Sequence, residues 1–310
     1  MRIKGLKDLV VMDAPVPSLR ARAVLITGAA SGIGRAVAIA AAAQGAELVL
    51  TDLHPESLDA VVEEITASGG RVLYHQAGDI SDYDWVRSFA NQVDAEVGVM
   101  DVVMNIAGIS VWGTVENLEH RHWRSMVDVN LMGPIHIIEC FVPPMIRRGR
   151  GGHLVNVSSS AALLAFPWHA AYSASKYGLR GVSDVLRFDL RQHNIGVSLV
   201  CPGAVDTPLV NTVDIVGVDR TDPRIATQVA RFHNHAVTPD EAAAAILKGI
   251  RKNHYLVYTS FDIRFGYWWA RKFALPYEIV MRLANNQFTH LARISGRTLE
   301  QKADRTRIDG

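Results

Sequence analysis

Short, unbroken apolar runs alternate along this chain with longer stretches in which apolar positions return every three or four residues. The runs fall at Ala23–Thr27, Glu47–Thr51, 71–76, Asp101–Asn105, 152–157, Ile195–Cys201 and 254–258. A strand covered on both faces reads as such a run, whereas a half-exposed strand alternates apolar with polar. The longer stretches predict helices at Ile33–Gln44, 56–68, 82–97 and about 172–193. A long helix near 117–146 carries Pro134 inside it. Gly45 stops the first helix. Thr238-Pro239-Asp240 starts a further one, a cap residue before a first-turn proline. This alternation predicts an α/β fold, a doubly wound sheet of about seven parallel strands with helices on both faces. Residues 1–20, with Pro15 and Pro17, read as an extended N-terminal leader. The alternation fills 21–258, with a long insertion at 207–236, and 259–310 form a helical extension.

Composition narrows the class. With 310 residues, 49% hydrophobic and 20% charged, the chain can build a large core in one α/β domain or two ordinary ones. A net charge of +1 without long charge runs argues against a nucleic-acid partner. Two cysteines, Cys140 and Cys201, are too few for a disulfide framework, so a reducing, cytoplasmic compartment is expected. The N-terminus lacks the apolar core of a secretory signal, and no run of about 18 apolar residues predicts a spanning helix. His120/His122 and His233/His235 stand two apart, which turns them to different sides of a helix. They read as structural histidines, and no metal site is expected.

The segment Thr27–Gly34, TGAASGIG, lies between the first strand and the first helix. Gly28 permits the sharp turn out of the strand, Gly32 lets backbone approach a pyrophosphate, and Gly34 lets the helix pack close to the sheet. With Ser31 and Ile33, this loop brings unpaired N–H groups of a helix N-terminus to a phosphate. Asp52 ends the next strand. A carboxylate there accepts hydrogen bonds from both ribose hydroxyls of NAD and repels the 2′-phosphate of NADP. Leu53, not a cation, follows it, and Arg35 and His54 are the nearby bases. NAD is therefore expected rather than NADP.

Tyr172 and Lys176 stand four apart, on one face of a helix. The spacing alone equally fits an exposed pair contributing a few tenths of a kcal/mol. Its setting is more specific. TG-x-x-x-G-x-G after the first strand, with Tyr-x-x-x-Lys following, resembles the classical short-chain dehydrogenase/reductase family over residues 20–258. The resemblance implies a single-domain Rossmann-type fold and further site residues. GDISD places Asp79 and Ile80 at the adenine. NIAG supplies Asn105, Ala107 and Gly108, with Ile106 where the family has a second Asn. VNLMG supplies Asn130, and VSSS supplies Ser159, thirteen residues before Tyr172. CPGAVDTP supplies Pro202, Gly203, Val205 and Thr207 near the nicotinamide.

On this pattern Asn130, Ser159, Tyr172 and Lys176 form the catalytic set, and Tyr172 and Lys176 also touch the cofactor. A free tyrosine titrates near pH 10. An ammonium about 5 Å away, at an effective dielectric near 20, favours phenolate by roughly 3 kcal/mol, or about two pK units. Tyr172 is then the base for alcohol oxidation and the acid for carbonyl reduction. The resemblance gives Lys176 a hold on the nicotinamide ribose and gives Asn130 a water that leads protons from Lys176 to solvent. Ser159 steadies the substrate oxygen.

The residues around the tyrosine are apolar: Val111, Trp112, Leu163, Leu164, Phe166 and Trp168. Trp112, Phe166 and Trp168, with Ser159, are the expected substrate contacts, and the slot suits a lipophilic alcohol or ketone of steroid, retinoid or fatty type, although half of these aromatics equally fit the core or an oligomer contact. The insertion at 207–236 is expected to act as a substrate lid. Residues 261–283 space Phe261, Phe265, Trp268, Trp269 and Phe273 at helical intervals beside Arg264, Arg271, Lys272 and Arg282. This reads as a surface for peripheral membrane contact or for packing on the body or a second subunit. A homodimer or homotetramer is expected from the family. Two other functions stay open, a 3-oxoacyl thioester reductase and a non-catalytic dinucleotide sensor or scaffold.

Overall fold

A computed structural model describes residues 18–209, 213–218 and 236–290. Most of the leader, much of the 207–236 insertion and the end of the extension lie outside the described residues.

Seven strands form one parallel sheet: β1 (Ala23–Thr27), β2 (Glu47–Asp52), β3 (Arg71–Ala77), β4 (Val102–Asn105), β6 (Gly152–Val157), β7 (Ile195–Cys201) and β9 (Leu256–Tyr258). Their order across the sheet is β3-β2-β1-β4-β6-β7-β9. The order reverses between β1 and β4, and the crevice at the carboxyl ends of these two strands is where such sheets bind ligands. Each central strand feeds both layers because side chains alternate. Val24 and Ile26 of β1 join the cluster with Val37, Leu48 and Ile246, while Leu25 faces Val49, Phe89, Ile137 and Phe141 on the other side.

The helices follow the sequence pattern closely: α1 (Gly32–Ala43), α2 (Pro55–Ala67), α3 (Tyr83–Glu96), α6 (Ala170–Asp189) and α7 (Pro239–Arg251). Gly45 follows α1 at φ +79°, the left-handed conformation that ends it. Thr238 caps α7 in a reciprocal box with Glu241. The long helix expected near 117–146 is not one helix. It is α4 (His120–Val127), a π turn at Asp128–Met132, and α5 (Gly133–Arg148). Pro134 sits in the first turn of α5 and has no N–H to give, and the widened turn precedes it. By length and composition His120–Arg148 could cross a membrane. Here Met126, Asn130, Ile137, Phe141 and Met145 bury it against the body.

A two-stranded pair absent from the sequence reading joins β5 (Val111–Trp112) to β8 (Asp214–Ile215). Two residues per strand carry no periodicity to read. The pair ties the start of the insertion to the segment after β4. The extension begins with α8 (Phe261–Lys272), and residues 274–290 are helical.

Asp101, at the start of β4, ties the lower edge of the sheet. Its carboxylate accepts from Ala23 N at 3.0 Å and pairs with Arg148 at 3.0 Å and Arg22 at 3.3 Å. Beside it, His153 is 1% exposed, and its Nε2 donates to Ser198 Oγ at 2.8 Å, since that hydroxyl gives its own proton to His254 O. Burial pushes this imidazole down to about 4. Above pH 6.5 the ring is neutral in folded and unfolded chains alike. Between 6.5 and about 4 the unfolded chain takes up the proton and the folded one does not, so stability falls as pH falls. The loss from this one group is about 3 kcal/mol. Urea unfolding at pH 7 and pH 4 should show the native chain losing about that much more than His153→Gln. Equal losses would contradict this assignment.

Candidate active site

The glycine loop forms where β1 turns into α1. Gly28 adopts φ +70°, and a Cβ on it would lie 2.7 Å from the Ala107 backbone. Gly32 adopts φ +51°, and a Cβ there would lie 3.1 Å from Thr207. At Gly34 the added atom would stand 1.9 Å from the Gly28 carbonyl oxygen, so only glycine lets α1 begin this close to the strand. Ser31 occupies the cap position of α1 without a side-chain capping bond, and no acidic residue sits in the first turn. Ile33 packs against the core. The loop therefore presents backbone N–H groups and the positive end of a helix to the crevice.

Asp52 ends β2 with Oδ2 accepting from Ala30 N at 3.0 Å and Oδ1 from His54 N at 3.1 Å. These bonds fix the carboxylate beside the glycine loop. Arg35, one of the two nearby bases, pairs with Glu64 of α2. Asp79 accepts from the backbone and hydroxyl of Ser81. Ile80 is buried, close enough to Gly133 of α5 that a Cβ there would lie 2.6 Å away, so its side chain belongs to the core.

Across the crevice, Asn105 is buried and donates to Asn156 Oδ1 at 2.9 Å. Thr27 Oγ1 accepts from both Ile106 N and Ala107 N, which holds the turn without the family's second asparagine. On the far side Pro202 O accepts from Ser160 N at 2.7 Å, Gly203 N donates to Thr259 Oγ1, and Val205 bridges to Val237. Thr207 is buried against Gly32. The glycine loop thus adjoins three other segments, with Gly28 against Ala107, Gly32 against Thr207 and Ala30 N bonded to Asp52. A dinucleotide fits the donor set. The glycine positions tolerate no Cβ, and the N-terminus of α1 has no side-chain cap.

The π turn aims Asn130 inward. Its Oδ1 accepts from Ile109 N and its Nδ2 donates to Ile109 O, both at 2.9 Å, with Ser175 Oγ at 3.3 Å. The side chain thereby clamps the segment after β4 to α6. Gly108 lies in the clamp, where a Cβ would come within 2.9 Å of Asn130 Oδ1 and 3.3 Å of Lys176 Nζ. Both polar atoms of Asn130 are engaged in this clamp, which makes the side chain a positioning group.

Tyr172 and Lys176 lie on α6 as expected. Lys176 is 4% exposed, donates to Val157 O at 3.1 Å, and places Nζ 5.9 Å from the Tyr172 ring centroid. The three serines separate cleanly. Ser158 donates to Lys176 O, Ser160 is buried at the start of a short 3₁₀ turn, and Ser159 Oγ accepts from Ala161 N and stands near enough to the Tyr172 phenol to favour its charged form. The electrostatic expectation needs correcting. Burial holds the Tyr172 phenol above its ordinary range, and the Ser159 bond only partly offsets this. Lys176 points to a carbonyl rather than to the phenol, and burial lowers its own pKa to about 8. Desolvation outweighs the Coulomb attraction that the spacing implied. Cys201, beneath this pair, is pushed up to about 12 by burial and stays a neutral thiol.

The apolar residues divide. Leu163 and Leu164 are buried with Leu199, Cys201 and Ile263 as core, with Phe166 packed partly against them. Trp168 adopts φ +66° and packs on Phe288 of the extension at 5.4 Å. Trp112 faces His169 at 4.4 Å, and His169 lies 5.8 Å from Phe166 and 6.2 Å from Tyr172, centroid to centroid. Sequence reasoning passed over His169. Its position three residues before the tyrosine was the available signal. Removing the clamp by Asn130→Ala leaves the Ile109 N–H and C=O without partners, at a cost of about 2 kcal/mol. Urea unfolding should show that loss, with faster amide exchange at Ile109. Unchanged stability and exchange would contradict the clamp.

Comparison with known proteins agrees with this geometry. Residues 22–215 match the sequence profile of the short chain dehydrogenase family. A "Probable oxidoreductase EphD" of Mycobacterium tuberculosis is 37% identical over 233 residues, 74% of this chain. The chain spans only 39% of that relative's length. A 3beta-hydroxysteroid dehydrogenase of Mediterraneibacter gnavus is 34% identical over 240 residues, 72% of this chain and 86% of the relative. The crystal structure of a short chain dehydrogenase/reductase from Burkholderia phymatum in complex with NAD superposes with TM-score 0.75 at 26% identity, covering 82% of this chain and 94% of that one. Solved relatives hold either NAD or NADP. The chain belongs to the short-chain dehydrogenase/reductase family.

Proposed function

We propose that this protein is an NAD-dependent oxidoreductase that interconverts a lipophilic secondary alcohol and its ketone. The observation that carries this reading is the meeting of Ser159, Tyr172 and Lys176 beside the Trp112/Phe166/His169 aromatic wall. The nicotinamide, when bound, supplies the hydride acceptor or donor. Gly28, Ser31, Gly32, Ile33 and Gly34 hold the pyrophosphate, Asp52 the ribose hydroxyls, and Asp79 with the Ile80 backbone the adenine. Asn105, Ala107, Gly108, Pro202, Gly203, Val205 and Thr207 border the nicotinamide end.

Tyr172 takes the proton of the substrate hydroxyl in oxidation and returns it in reduction. Ser159, beside the phenol, stabilises negative charge there or on the substrate oxygen. Lys176, with a pKa near neutrality, passes a proton onward while its charge favours phenolate. Asn130 keeps the loop and α6 in register. Asp52 favours NAD because its carboxylate would face the 2′-phosphate of NADP, and Arg35 is paired elsewhere.

Trp112 and Phe166, with Trp168 behind them at the extension, give the substrate wall its apolar character. The steroid named for one relative suits such a wall. Exposed Tyr177, Val185 and Phe188 on α6 offer a face for a dimer or tetramer. On α8, Phe261, Phe265 and Trp268 stack in an exposed row that continues to Phe273, with Arg271 and Lys272 beside it, which suits peripheral contact with a lipid surface.

The test is a screen of secondary alcohols with NAD, followed at the NADH absorbance, on native protein and Tyr172→Phe. The native protein should turn over apolar alcohols, and the variant should lose at least about 10²-fold in kcat while binding NADH nearly as well. Activity retained by the variant, or tighter binding of NADPH than NADH, would contradict the reading.

A further inference from the structure

We infer that His169 is a specificity-determining residue, an acceptor for a second hydroxyl of the substrate, so that the preferred substrate is a diol or hydroxyketone rather than a simple alcohol. The inference rests on the proposed alcohol–ketone chemistry at Tyr172.

The tautomer follows from the partner. His169 Nδ1 stands 2.6 Å from the carbonyl oxygen of Pro167. A carbonyl only accepts, so the ring proton is on Nδ1 and Nε2 holds a bare lone pair. Burial lowers the pKa of the ring, which keeps it neutral at pH 7. Among the described residues Nε2 has no hydrogen-bond partner.

The ring is also held in place. Trp112 covers it at 4.4 Å and 37°, and Phe166 and the edge-on Tyr172 close two further sides. Trp112 is itself fixed by its indole bond to Ser110 Oγ at 2.7 Å and by the β5–β8 pairing. His169 occupies the N-cap position of α6 without a side-chain capping bond, and Tyr172 is three residues on, so the two side chains share one edge of the first turn. A ligand whose carbinol reaches Tyr172 lies alongside the imidazole. One fixed acceptor in an otherwise aromatic wall selects by penalty. An apolar ligand covers the lone pair and leaves it unpaired, whereas a second hydroxyl pairs it.

The experiment compares cyclohexanol with the cis and trans 1,2-, 1,3- and 1,4-cyclohexanediols, using NAD and reading kcat/KM. At least one diol should exceed cyclohexanol by about tenfold or more in the native enzyme. His169→Phe keeps an aromatic ring against Trp112 and should bring that ratio to about one, mainly through KM. His169→Gln, which restores an acceptor, should recover part of it. Long-range 1H–15N spectra of histidine-labelled native protein, assigned by the missing signal in His169→Phe, should show Nε2 unprotonated and shifting when the preferred diol binds. A protonated Nε2, no diol preference in the native enzyme, or a preference that survives in His169→Phe would each overturn the inference. Turnover of cyclohexanol without diol preference removes the inference alone, and turnover of no alcohol removes the underlying reading with it.

Discussion

A lysine amine sealed under a helix is the interaction on which this site depends. Lys176 reaches from α6 to the Val157 carbonyl at the end of β6, and the bond fixes the height of α6 above the sheet. Everything reactive is measured from that point. Tyr172 stands one turn earlier on α6, Ser159 follows β6 directly, and Gly108 approaches from β4 so closely that no side chain fits between it and the amine. Burying the amine costs free energy in its charged form, which is why its pKa falls to about 8. The same burial raises the phenol. The free site therefore disfavours charge on both partners, because each is poorly solvated.

The π turn supplies the second constraint. An α-helix running unbroken through 120–148 would carry Asn130 along its own face. The widened turn at Asp128–Met132 instead delivers the amide to Ile109, where it closes two backbone bonds at once. Thr27 does the same for Ile106 and Ala107 from the end of β1. The loop after β4 thus hangs from two side chains on either side of the crevice, which keeps the glycine loop, Gly108 and Lys176 in one geometry.

Much of this was legible because it is local. Continuous apolar runs mark buried strands, and a cap residue before proline marks the start of α7. Gly28, Gly32 and Gly34, where β1 passes into α1, reject a Cβ, so their spacing carries steric information. Tyr172 and Lys176 share a face by helix geometry alone. What stayed hidden depends on packing between distant segments. The π turn follows from tertiary clamping of Asn130, not from a residue pattern. The two-residue strands β5 and β8 are too short to show a period. Leu164 stands in the apolar stretch before the tyrosine yet belongs to the core, and Trp168 turns through a positive φ to meet Phe288 of the extension, a contact no local pattern shows. Spacing reveals the charge next to Tyr172 and conceals the desolvation, which raises the phenol in the free chain.

The buried amine can be observed directly. Native protein carrying 13C-labelled lysine, titrated by NMR with Lys176→Met as the assignment control, should show one side chain changing protonation near pH 8 while exposed lysines do so near 10.4. A Lys176 resonance that titrates with the exposed lysines would mean that the amine is solvated, and the site as described here could not stand.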